Sequence, residues 1–199
     1  MKVRTFLTPL AVLAVCAVSI SVIDAQQNTK EQDLFKVYVE KFGPPGPEHT
    51  LLEPLAGTWR AECKLWTDPN QPAQVSEGTL VRKPVMGGRF IQEEFTGKMM
   101  DKPFQGTGQI GYDRAKQKYV TSWIDSMDTA LHVSYGTYEP STKTWTFTSE
   151  DKCPITGLPV KMRDTLRIIS PNEEHMEMFK QLGQEKEMKT MEIRLTRKQ

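Results

Sequence analysis

From Gly57 almost to the C-terminus, apolar residues fall on every second position of the chain. Trp59, Ala61, Cys63 and Leu65 alternate with Arg60, Glu62, Lys64 and Trp66, the period-two pattern of a strand that buries one face. The same patterning predicts strands over 75–83, 89–96, 106–112, 118–127, 131–138, 144–150, 160–169, 174–182 and 188–196. Between them lie "MGG", "DRAKQ", "EPSTK", "SPNE" and "GQEKE", rich in the glycine, proline and short polar residues that make tight turns. About ten short strands joined by short connections predict an all-β domain, an antiparallel up-and-down barrel with a two-sheet sandwich as the alternative.

Ahead of the strands the period changes. In 29–42, "TKEQDLFKVYVEKF", Leu34, Phe35, Tyr38, Val39 and Phe42 share one helical stripe. Thr29 and Gln32 have capping-box spacing, and Gly43-Pro44-Pro45 supplies a stop. This predicts an amphipathic helix capping the barrel. Earlier still, Lys2 and Arg4 precede an apolar run from Phe6 to Ile23 that ends at "VIDAQQ", with Ala25 as the cleavage residue. The order of charge, apolar core and small residue is that of a secretory signal, and Thr8, Pro9, Ser19 and Ser21 interrupt the run too often for a lasting span. Cys16 offers a lipoprotein reading, but Val15 stands where that signal needs a small residue. The expected organisation is a signal peptide over 1–25, a capping helix and proline-rich linker over 26–49, and a barrel over 50–199. Export to the periplasm or the extracellular space follows, with no stable membrane insertion after cleavage.

Cleavage removes Lys2, Arg4 and Asp24, taking the 26 basic and 25 acidic residues to 24 of each. A neutral chain with scattered charges lacks the basic footprint of a nucleic-acid binder. Cys63 and Cys153 remain. An oxidising compartment permits a disulfide between them, the alternative being two unpaired, buried thiols. The sequence carries no signal of oligomeric state.

Chemical motifs are sparse. "GTGQIG", 106–111, matches the dinucleotide glycine pattern but leads into a turn and another strand where that site needs a helix, so the glycines are read as close approach at a barrel wall. His49, His132 and His175 lie far apart with no metal-ligand spacing, so no metal is predicted. Ser126 lacks the glycines of a nucleophile elbow, and adjacent Glu93 and Glu94 point to opposite faces of a strand. No catalysis is expected. The richest stretch is "KYVTSWIDSM". Tyr119, Thr121, Trp123, Asp125 and Met127 share one face, and Val120, Ser122, Ile124 and Ser126 the other. If the first face points inward, Trp123, Asp125 and Met127 line a cavity with one polar anchor. Asp125 then needs a partner, for which Arg89, Tyr112, His132 and Tyr135 are the candidates, or else stays protonated. If the second does, Trp123 and Asp125 lie on the outer wall.

"GPEHTLLEPLAGTW", "VMGGRFIQEEF", "PFQGTGQIGYD", "KYVTSWIDSM" and "GTYEPSTKTWTF" together resemble the bacterial family known only as domain of unknown function 1579. The resemblance implies a calycin-like barrel, a fold whose relatives often bind small apolar ligands or haem. It brings no assigned activity, and the residues themselves predict no cofactor. Lipocalin-like proteins stack the tryptophan of Gly-x-Trp, here Gly57 and Trp59, on a basic residue from the end of the barrel, a role that falls to Arg194 or Arg197. The expected function is binding of a small apolar ligand. The alternative is a non-catalytic envelope or extracellular interaction module whose barrel is filled by its own side chains. Export is directly testable: residues 1–25 fused to a reporter should carry it across the membrane, and a reporter held in the cytoplasm with its N-terminus intact would refute the leader.

Overall fold

The computed structural model describes residues 30–199; the leader over 1–25 lies outside them. The chain divides into a unit that ends at Pro44 and a unit over Pro45–Gln199. In the first, helix α1 occupies 30–42 and stops where the Gly43 amide donates to the Val39 carbonyl at 2.9 Å. Its apolar stripe is exposed at Leu34, Phe35, Tyr38 and Val39. No helix among the described residues is long and apolar enough to cross a membrane.

The second unit holds a four-residue helix α2, Pro47–Thr50, a 3-10 turn at Glu53–Leu55, and ten strands. They are β1 Gly57–Leu65, β2 Gln74–Val85, β3 Phe90–Met99, β4 Lys102–Asp113, β5 Lys118–Asp125, β6 His132–Glu139, β7 Thr144–Lys152, β8 Pro159–Ser170, β9 Glu173–Leu182 and β10 Met188–Arg197. Each is antiparallel to its sequence neighbour, and β1 pairs with β10, so the sheet closes on itself without an edge. The barrel, the strand number and nine of the strand starts follow the expected pattern. The exception is β4, which begins at Lys102 where Gly106 was expected. The hairpin turn ahead of it uses Met100 and Asp101, both at positive φ (50° and 61°), as a type I′ turn requires, without the glycine or asparagine that usually marks one.

Alternation sorts the side chains. Trp59, Ala61 and Cys63 of β1, Ile91, Glu93 and Phe95 of β3, and Trp145 and Phe147 of β7 face the interior and are buried. At one end Leu52 and Leu55 pack into a cluster with Ile91, Ile110, Tyr119, Trp145 and Leu166. The segment that closes this end is therefore α2 and the turn after it, Pro47–Ala56, which straddles the expected boundary between the proline-rich linker over 26–49 and the barrel over 50–199. Three contacts fix it. Tyr119 donates its hydroxyl to the Glu48 carbonyl (3.1 Å), the ring of buried His49 stands edge-on to Tyr112, and the Trp59 indole donates to the Leu55 carbonyl (3.0 Å). His49 Nδ1 accepts from the Gly46 amide at 2.9 Å, and burial lowers its pKa, so the ring is a neutral structural group.

Arg197 ties the last strand to this closure. Its guanidinium lies 4.1 Å from the centre of the Trp59 ring and donates to the carbonyls of Ala56 (2.6 Å), Pro54 (2.7 Å) and Pro171 (2.9 Å). Gly57 stands at φ 139°, and a Cβ there would overlap Arg197 Nη1. The Gly-x-Trp sequence is thus a backbone gap for a guanidinium followed by the ring it stacks on. Arg194, the other candidate, has outward parity in β10 and pairs with Glu173 at 2.9 Å on the surface. Trp59→Ala should cost roughly 3–5 kcal/mol, as removal of a buried large aromatic does. Gly57→Ala should cost more than about 1 kcal/mol, since alanine at positive φ is strained even before the clash. Denaturant midpoints check both, and unchanged midpoints would remove the closing role.

Candidate functional site

The other end of the barrel is not filled. A cavity of about 330 Å³ opens there, lined by side chains of all strands from β1 to β10. Its walls are apolar: Phe95, Phe104, Trp123 and Phe147 supply rings, and Met99, Met127, Met162, Met176, Met178 and Met191 supply flexible thioethers. Methionine's unbranched, polarisable chain adapts to irregular shapes, so such a wall accepts a range of apolar bodies.

The face of β5 that carries Trp123 points inward. Trp123 lies across β4, where a Cβ at Gly106 or Gly108 would overlap its six-membered ring. Two of the glycines in "GTGQIG" are therefore wall positions for an indole, as close backbone approach predicts. Asp125 finds its partners locally: Oδ2 accepts from the Trp123 indole at 3.0 Å and Oδ1 from the Met127 amide at 2.8 Å. This fixes the indole in place and leaves Asp125 without need of the distant partners expected for it. Of those, only His132 lines the cavity, near its mouth, where Nε2 stands 3.4 Å from Asp128. Arg89 is exposed after the Met86–Gly88 turn and donates to the Met86 carbonyl at 2.9 Å. Tyr112 faces inward but at the closed end, stacked on His49 and Tyr119. Tyr135 has outward parity in β6, and its hydroxyl accepts from Lys116 Nζ at 2.7 Å.

Two groups of charged residues, of which only Glu93 was weighed from the sequence, stand in phase with apolar positions. Arg82 follows Leu80 on the inward face of β2 and is wholly buried. It donates to Glu93 of β3 (2.6 Å) and to Glu174 of β9, and so joins three strands across the interior. Burial opposes the Arg82 charge, yet the two carboxylates hold its pKa above the ordinary value, whereas burial pushes Glu174 up against the pull of Arg82. Removing one member of a buried ion pair typically costs about 3–5 kcal/mol, because the other charge is left uncompensated. Glu93 reaches the cavity wall, with Arg82 and Glu174 behind it. The second group is a single residue, Asp164, which stands between Met162 and Leu166 on the inward face of β8 and lines the cavity. Desolvation pushes its pKa from 3.8 up to about 6, against the charges of Arg163 and His132. A charge at an apolar phase of a strand is the signal that marks both groups.

The cysteines are free. Cys63 lines the cavity from β1, its pKa pushed to about 11 by burial, and Cys153 lies between β7 and β8. By the shorter way round the barrel two strands, β10 and β9, separate β1 from β8, and the disulfide considered above is not formed in this structure. On the outer face His175, Glu177 and Glu192 approach one another, but Lys189 donates to Glu177 (2.5 Å) and Glu192 (3.0 Å), and Lys64 to Glu192 (3.2 Å). Lysines occupy the position a cation would take.

The family model described as "Protein of unknown function (DUF1579)" matches residues 44–197. No curated protein matches the chain. Among solved structures, Rv2717c from M. tuberculosis superposes with a TM-score of 0.59 at 15% identity, over 78% of this chain and 100% of that one. The S-type phycobiliprotein lyase CPES from Guillardia theta gives 0.50 at 12% identity, over 79% and 95% of the two chains. At such identities the likeness concerns the fold alone.

Because the folded-state pKa of Asp164 is raised, its contribution to stability is fully present below pH 3.8 and is lost as pH rises through about 6. Asp164→Asn should therefore be more stable than the parent near neutral pH and lose that advantage as pH falls towards 4. Denaturant midpoints of the two proteins across this range give the difference, and parallel curves would show that Asp164 is not desolvated.

Proposed function

We propose that this chain, which belongs to the DUF1579 family of proteins of unknown function, is an exported binding protein that holds a small, mostly apolar molecule in the barrel lumen. The observation that carries the reading is the open cavity of about 330 Å³ with its wall of methionine and aromatic side chains. Pockets for small molecules begin at about this size, and they combine apolar walls with a few polar groups that set orientation. Here Asp125, His132 and Asp164 are those groups. A barrel serving only as a surface for other proteins gains nothing from an empty interior, since unfilled apolar volume costs stability. Binding rather than catalysis fits the residues at the cavity: Cys63 is held as a thiol by burial, and Asp125 is committed to Trp123 and Met127. Export rests on the leader sequence.

Trp123 is the reporter. Of the tryptophans it alone lines the cavity, whereas Trp59 and Trp145 are buried in the core and Trp66 ends outside it. An apolar probe titrated into the protein should change tryptophan emission saturably, and Trp123→Phe should remove most of that signal while displacement by unlabelled competitors persists. Mass spectrometry of protein purified from its own cells should show a copurifying small molecule. Absence of saturable binding across a panel of apolar probes would instead favour the interaction-module reading.

A further inference from the structure

Resting on the binding reading above, the geometry points to a ligand with a cationic head, and we propose that the lumen selects small apolar molecules bearing an ammonium or amidinium group, which Asp164 receives.

What sets Asp164 apart is unmet valence. Three carboxylates face the cavity: Glu93, Asp125 and Asp164. Glu93 is already paired with Arg82 at 2.6 Å. Both oxygens of Asp125 accept hydrogen bonds from within its own strand end. Asp164 is different: it accepts no hydrogen bond from any described residue. The cation next to it in sequence is turned away, since Arg163 lies on the outer face of β8, where it donates twice to Glu187 (3.0 and 2.7 Å) and stacks on Phe179. Across the sheet from Asp164 stand Phe147 of β7 and Met178 of β9, neither of which can donate to it. His132, the remaining group whose charge reaches Asp164, is engaged with Asp128 at the mouth. A carboxylate in an apolar cavity is costly to leave unpaired, and a ligand cation removes that cost while its apolar body fills the methionine-lined space.

The same inventory disfavours an acidic ligand. Lys98 is the lysine near the cavity, but its parity in β3 is outward and it is exposed at the rim. An anionic head inside would meet Asp125 and Asp164, while the buried base Arg82 is already held between Glu93 and Glu174. The adaptable methionine wall specifies shape weakly, so discrimination falls to the head group.

Three ligands with the same chain separate the possibilities: decylammonium, methyl decanoate and decanoate, each competed near neutral pH against an apolar fluorescent probe bound in the lumen. Decylammonium should bind at least about tenfold more tightly than methyl decanoate, the lower range for a charge-assisted hydrogen bond, with decanoate weakest. In Asp164→Asn the ratio of ammonium to ester affinity should collapse to about threefold or less, and Asp164→Ser should reproduce the collapse. Decanoate binding as tightly as decylammonium would overturn the proposal, as would a preference that survives in both variants; the comparison of ligands on the parent protein decides even if a variant fails to fold. Should methyl decanoate bind but the ammonium show no preference, only the cationic-head inference falls. Should neither the probe nor any of the three bind, the binding function falls with it.

Discussion

The stack of Arg197 on Trp59 is the contact on which the architecture turns. A closed barrel must join its last strand to its first, and β10 reaches β1 through a ladder that any antiparallel pair could form. What makes the closure specific is that a guanidinium at the last residue of β10 passes through the gap left by Gly57, lies on the ring of Trp59, and gives its hydrogens to the carbonyls of Pro54 and Ala56. Those carbonyls belong to the segment that plugs the end. One side chain thus fixes strand register, strand closure and the plug together. Lysine could not replace it, because the rigid planar fork both stacks and donates in several directions at once.

With one end closed in this way, the interior divides. Near the plug, large rings and leucines form one buried cluster. Toward the other end the fill gives out, and methionines and a few rings surround open volume. The buried charges respect this division. Arg82 pairs with both Glu93 and Glu174 at the boundary, a costly arrangement that bridges β2, β3 and β9 and leaves Glu174 Oε1 with no hydrogen-bond partner among the described residues. Asp164, on the open side, has no such compensation. Two charge sites in the same phase of the same kind of strand therefore have different standing: one is closed within the protein, the other is open to whatever enters.

Much of this was legible in the sequence and some of it could not be. Period-two alternation and turn chemistry located all ten strands, because a barrel wall buries one face of every strand and that constraint is local. The β4 start was missed because Met100 and Asp101 take positive φ without the residues that usually advertise it. Membership of the cavity was half legible. Trp123, Asp125, Met127 and His132 lie on it, but Arg89 and Tyr135 fail on position and parity, and Tyr112 has the right parity at the wrong end. Which end of a strand is plugged depends on a segment, Pro47–Ala56, whose folding back is decided by contacts distant in sequence. Arg197 over Arg194 was available from parity alone, since Leu195 is buried and Arg197 stands two residues on. So were Arg82, Glu93, Glu174 and Asp164, each a charge in apolar phase.

The cavity itself is made by what is missing. Gly78 of β2 lies under the ring of Phe95, and Gly106 and Gly108 of β4 lie under Trp123; a Cβ at any of the three would overlap the ring above it. Large aromatic side chains inside a small barrel ordinarily project into its centre and fill it. Here the glycines allow two of them to lie against the wall, and the Asp125 carboxylate holds the indole of Trp123 in that position. The lumen is therefore open where these rings lie against its wall. The residue types that looked in the sequence like a phosphate-binding loop, and those that looked like a polar anchor, serve one purpose: glycine lowers the ring and aspartate pins it. Under the binding function proposed above, recognition of polarity then passes to Asp164, the cavity carboxylate that accepts no hydrogen bond from any described residue.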